Sequence, residues 1–143
     1  MFDLKRFYDD AKGCQPADTE GFIQYLRSFR NVIIWGAGYL GTEIGTRLKA
    51  LDVKVTTYWD ARANELESID AIPVAPSFSQ QYPPADTVFI FCITNSFVRD
   101  RLRGDLGKAG YDNILIGEHI FQGIVCEASS YSDFNKCRNA SAC

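Results

Sequence analysis

An α/β fold is predicted by the sequence: a small three-layer domain with a mostly parallel sheet over residues 31–117, an N-terminal helical arm over 1–30, and an irregular cysteine-containing tail over 118–143. Three observations predict it. Val32-Ile33-Ile34-Trp35 is an unbroken apolar run, the pattern of a strand covered on both faces. A glycine-rich turn, Gly36-Ala37-Gly38-Tyr39-Leu40-Gly41, follows it and opens a stretch whose apolar residues Leu40, Ile44, Leu48 and Leu51 recur at helical spacing. Val53 to Trp59 is then rich in β-branched and aromatic residues. Strand, turn, helix and strand make one βαβ unit, whose crossover is right-handed.

The other elements follow from local signals. In the arm, Leu4, Phe7 and Tyr8 mark a short helix. Asp18 and Thr19 can cap a second one carrying Phe22, Ile23, Leu26 and Phe29. After the βαβ unit the pattern weakens: a helix is expected near Ala63 to Ser68, and Ile72-Pro73-Val74-Ala75 reads as an edge strand because proline cannot serve a central ladder. A short helix is expected near Pro76 to Gln81, and Pro83-Pro84 breaks regular structure. Val88 to Ile93 is the next buried strand. Ser96 to Ala109 is a helix that Gly110 ends, and Ile114-Leu115-Ile116 is the last strand.

Composition narrows the function classes. A chain of 143 residues with 46% hydrophobic content suits one packed domain. Its formal net charge of −3 gives no electrostatic argument for nucleic acid or an anionic membrane surface. No apolar run approaches the roughly 20 residues a membrane span needs, and the first residues lack the apolar core of a secretory signal. The expected location is cytoplasmic. Five cysteines, an odd number, argue against a fully paired disulfide framework. Cys92 lies within an apolar run as a small hydrophobe. Cys126, Cys137 and Cys143 have separations of eleven and six, which match no structural zinc pattern, so they read as free thiols and no metal is expected.

The glycine turn is the main functional signal. Gly36 lets the chain turn off the strand, Gly38 leaves room for a pyrophosphate, and Gly41 lets the helix approach the sheet. Ala37, Tyr39 and Leu40 complete the loop, and the helix start offers N–H groups and a positive dipole end to phosphates. Asp60, at the end of the second strand, can accept from ribose hydroxyls and would repel a 2′-phosphate, favouring NAD over NADP. Arg62 could stack on an adenine or weaken that discrimination. Thr94 and Asn95 follow the Val88–Ile93 strand and should border the same crevice, with Asn95 or Ser96 also suited to cap the next helix. S-adenosylmethionine is the competing ligand, but Trp35 stands where its loops carry an acid; CoA and nucleotide-sugars are further alternatives. The spacing alone is weak, and its weight comes from the strand before it, the helix after it and Asp60.

Catalytic signals are sparse. His119 stands alone, and the Tyr-x-x-x-Lys pair of short-chain dehydrogenases is missing, since Asn135 lies four residues after Tyr131. From Asn31 to Gly117 the chain resembles small Rossmann-like modules of nucleotide-sugar-modifying proteins. These include the C-terminal domains of sugar methyltransferases, the N-terminal domains of nucleotide-sugar dehydratases and acetyltransferases, and modules attached to some radical S-adenosylmethionine enzymes. The residues that carry the resemblance are Val32 to Gly41, Tyr58-Trp59-Asp60, and Ile72-Pro73-Val74 with Pro76. The Cys-x-x-x-Cys-x-x-Cys cluster motif of the radical enzymes is not present. The resemblance implies a nucleotide-binding module that is catalytic, regulatory or vestigial. With the glycine turn and Asp60 the chain reads first as a binding module for recognition or regulation, working as a homodimer or attached to a further domain. An NAD-dependent oxidoreductase acting on a nucleotide-sugar, an accessory domain of a methyltransferase or radical S-adenosylmethionine protein, and a structural domain without ligand stand as alternatives. The chain ends on a cysteine without a closing element, as expected of a fragment.

Overall fold

The computed structural model describes residues 2–13 and 17–127. Two compact units separate: one from the two ends of the chain, through Tyr25 and from Glu118 onward, and one spanning Leu26–Gly117.

The first unit contains helix α1 (Leu4–Lys12), most of α2 (Thr19–Arg27) and α5 (Gly117–Glu127). Asp3 caps α1 by accepting from the Arg6 N–H at 3.0 Å, and Asp18 accepts from the Gly21 N–H at 2.9 Å in the first turn of α2. Phe7 and Phe22 stack at 4.6 Å with an interplanar angle of 10°, and Phe2 lies against both. Helix α5 corrects the expectation of an irregular tail from residue 118. Ile120 and Ile124 are fully buried at i,i+4 spacing, and Gly123 leaves room for the Phe7 ring. The tail cysteines Cys137 and Cys143, and the Cys126 side chain, lie outside what is described.

The second unit is a small three-layer Rossmann-like domain. Its sheet has the order β3-β4-β2-β1-β5-β6: β1 is Asn31–Trp35, β2 Thr57–Trp59, β3 Ser68–Ile69, β4 Ile72–Ala75, β5 Thr87–Phe91 and β6 Ile114–Ile116. All pairings are parallel except β3 with β4. Alternation along the strands divides the core. Ile34 and Tyr58 lie under helix α3 (Tyr39–Ala50), while Ile33, Trp35, Trp59, Phe89 and Phe91 cluster with Leu106 of α4 (Ser96–Lys108). From β1 the chain moves through α3 to β2, and from β5 it moves through α4 to β6 on the other side. Order therefore reverses between β1 and β5, and right-handed crossovers put the two helices on opposite faces.

Four local expectations change. Only Thr57–Trp59 of the Val53–Trp59 run pairs as strand, although Val53 and Val55 are buried. The helix expected near Ala63 to Ser68 is replaced by turns and by β3, which closes a hairpin with β4 through Asp70 and Ala71 at φ +50° and +67°. β4 is consequently the second strand from the edge; its Pro73 is opposite Ser68 of the two-residue β3 and its carbonyl accepts from the Thr57 hydroxyl of β2 at 2.9 Å. The helix expected near Pro76 to Gln81 is absent; that segment is a chain of turns.

Candidate functional site

The loops that follow β1 and β5 run side by side at the carboxyl edge of the sheet. Trp35 is paired with Phe91, the Cys92 N–H donates to the Trp35 carbonyl at 2.8 Å, and the Gly36 N–H donates to the Trp59 carbonyl at 2.8 Å. This is the crevice where strand order reverses, the usual ligand position in open α/β sheets. Gly36 leaves β1 with φ +105°, a conformation L side chains rarely adopt, and a Cβ there would lie 3.0 Å from the Cys92 carbonyl oxygen.

The glycines of the turn separate by cause. A Cβ at Gly41 would fall on the Gly36 carbonyl, and one at Gly45 on the Tyr58 hydroxyl, so both serve the approach of α3 to the sheet. Gly38 differs. Its φ of −81° and ψ of −161° suit any residue, and a Cβ built there meets nothing within 4 Å. It occupies the N-cap of α3, and no side chain caps that end. The helix across the crevice is closed by contrast: the Asn95 side chain accepts from the Val98 N–H at 3.2 Å. Asn95→Ala is expected to destabilise the fold by about 1 kcal/mol, read from denaturant unfolding.

Asp60 reaches the glycine turn directly. Its Oδ2 accepts from the Ala37 N–H at 2.7 Å, and its Oδ1 accepts from the Arg62 N–H at 2.8 Å and from Arg62 Nε at 3.0 Å. Arg62 also donates to the Ala37 carbonyl at 2.8 Å, so acid and base together clasp the turn. Burial pushes the Asp60 carboxyl up, but the Arg62 side-chain and backbone hydrogen bonds, the Ala37 N–H and the Arg62 charge outweigh it and hold the carboxyl below its ordinary value. A depressed carboxyl stabilises the fold fully above its unfolded pKa of about 3.9 and loses that contribution as pH falls further. Asp60→Asn is therefore expected to lower stability at neutral pH, on the order of 1–2 kcal/mol. Melting curves of the two proteins should converge below about pH 4.

The remaining sequence candidates fall in several places. Tyr39 is 78% exposed at the first position of α3, Leu40 is half-buried beside it, and Thr94 is exposed on the loop after β5. Trp35 is buried among aromatic rings and donates from Nε1 to Ser77 Oγ at 2.8 Å, so the end of β1 presents no carboxylate. His119 belongs to the first unit, edge-on to Tyr8 at 5.2 Å. Sequence reasoning missed the partnership of Arg62 with Ala37, for which a basic residue two positions after the strand-end acid was the available signal. Among the described residues, no group of three or more His, Cys, Asp or Glu is placed to hold a metal ion, and no helix is long and apolar enough to cross a membrane. No protein-family model, curated protein or solved structure matches the chain.

Proposed function

We propose that residues 26–117 form a nucleotide-binding module that holds NAD, or a close relative, in the crevice between the loops after β1 and β5. It would supply recognition or regulation to a larger protein or complex. Gly38 carries the reading. Backbone conformation and packing require the glycines at 36, 41 and 45, whereas at 38 neither does, and glycine is there one of several residues suited to an N-cap. A bare backbone beside an uncapped helix start is what a pyrophosphate needs for close approach. Asp60 would meet the ribose through the acceptor capacity left on Oδ2, whose second contact, with Arg62, is a long 3.5 Å. The reading concerns binding, and assigns no reaction.

Arg62 bears on the choice of dinucleotide. Paired with Asp60, its guanidinium offsets the charge that would otherwise repel a 2′-phosphate. Arg62→Ala is expected to reduce NADP affinity at least about tenfold while changing NAD affinity less, as measured by calorimetry with both. The same clasp favours a second reading, a ligand-free interaction domain, because it satisfies Asp60 from within the chain. Calorimetry and thermal shift with NAD, NADP, S-adenosylmethionine, CoA and nucleotide-sugars separate the two. A ligand at 100 times its Kd stabilises the fold by about 2.7 kcal/mol. Absence of any such shift across the panel favours the interaction domain.

A further inference from the structure

The connection from β4 to β5, residues 76–86, contains no α-helix, although it carries the chain past β2 and β1 to a strand on their far side. A crossover helix would cover this face with a cylinder about 10 Å across. Irregular chain covers it here, and a cleft of about 430 Å³ opens beside the segment, a volume typical of small-molecule sites. Phe78, Gln80, Gln81, Tyr82 and Tyr111 line most of it, and no lining residue carries a charge.

The rim is held at several points. Ser77 accepts from the Trp35 indole, and the Phe78 ring packs edge-on to Trp35 at 5.2 Å. Phe78 does so with φ +61°, a left-handed conformation uncommon in a bulky residue and characteristic of sites where geometry is enforced. The Tyr111 hydroxyl accepts from the Tyr82 N–H at 3.0 Å and donates to the Tyr82 carbonyl at 2.8 Å. The Tyr82 hydroxyl donates to Gln80 Oε1, which leaves that amide one acceptor position and two N–H donors. Trp59, whose buried indole N–H has no hydrogen-bond partner among the described residues, lies against Phe78 and Tyr82.

We propose that this cleft is a second binding site, for a neutral ring compound with an apolar face and a polar rim, the chemistry shared by monosaccharides and nucleosides. Aromatic rings take the apolar face of such a ligand, and amides read hydroxyl and carbonyl groups on its edge. With no cation or carboxylate in the lining, an ionic ligand would be desolvated without compensation. The proposal stands apart from the nucleotide reading, since the cleft uses none of the residues of the glycine turn.

The test applies ligand-observed NMR and calorimetry to the full chain, with glucose, galactose, adenosine and uridine as probes and their monophosphates as charged counterparts. At least one neutral probe should bind, and its phosphorylated form should bind at least about tenfold more weakly. Replacing both exposed amides, Gln80→Leu with Gln81→Leu, should weaken binding at least about tenfold, and Gln81→Leu alone should weaken it less at an unchanged melting temperature. Gly38→Val should leave this binding intact, which separates it from any nucleotide bound at the turn. Sugar or nucleoside as the stronger probe identifies which source the site takes. The proposal is overturned if no probe saturates below about 10 mM, if the charged forms bind the Gly38→Val protein as well as the neutral ones do, or if the glutamine variants bind like the parent.

Discussion

Gly38→Val is expected to fold like the parent chain and to lose NAD affinity by at least about 100-fold, close to 2.8 kcal/mol. Two observations make this substitution unusually clean. A Cβ at position 38 meets nothing within 4 Å, and the backbone there lies in the extended region that valine itself prefers. Valine is a poorer N-cap than glycine, so a loss of less than about 1 kcal/mol is expected, visible as a few degrees in the melting temperature. The two added methyl groups would stand where the pyrophosphate must approach the start of α3. Gly38→Ala should fall between the two, because it adds one carbon to the same open space. Calorimetry and thermal melting on the three proteins check both halves. If Gly38→Val binds NAD like the parent, the phosphates do not lie over this residue.

The contrast between Gly38 and its neighbours was only half legible in the sequence. The spacing of Gly36, Gly38 and Gly41 named all three as one motif, with a steric task for each. What spacing cannot supply is the identity of the atom each missing side chain would touch. That depends on how the loop after β5 meets Gly36 and on how the Gly36 carbonyl and Ile34 come to lie under α3 at Gly41. β1, β5 and the two long helices of the second unit were readable because their apolar patterns are long or regularly spaced. Around the strand at Ile72–Ala75, which was read, the segments 63–68 and 76–81 were misread as helices because their apolar residues are few. Asp70-Ala71 takes two positive φ values without a glycine to announce the turn, and Phe78 takes a third. Asp60 was located correctly at the strand end, but its engagement with Ala37 could not be read from sequence, because it depends on how the turn folds back over β2.

Gly41→Val is expected to be the most damaging single substitution in the turn, and to fail by a different route from Gly38→Val. A Cβ at position 41 would fall on the carbonyl oxygen of Gly36 and approach Ile34 Cγ2 to 3.3 Å. The first of these is backbone and cannot rotate away. Gly36 is itself fixed, because its N–H is bonded to the Trp59 carbonyl and its φ of +105° already excludes most alternatives. Relief therefore requires α3 to lift from the sheet, which would withdraw Ile44 and Leu48, both fully buried, from their contacts. Overpacking of this kind costs about 3 kcal/mol, the upper end of its usual range, because the obstruction is rigid. In a domain whose whole stability is about 5–15 kcal/mol, this lowers the melting temperature by roughly 10 °C or more. NAD affinity should fall as well, but only as a consequence: a high NAD concentration should recover more melting temperature in Gly41→Val than in Gly38→Val. The ratio of stability loss to affinity loss thus assigns each glycine its task. A Gly41→Val protein that melts with the parent would mean that α3 does not press on the turn as the Gly36 carbonyl contact requires.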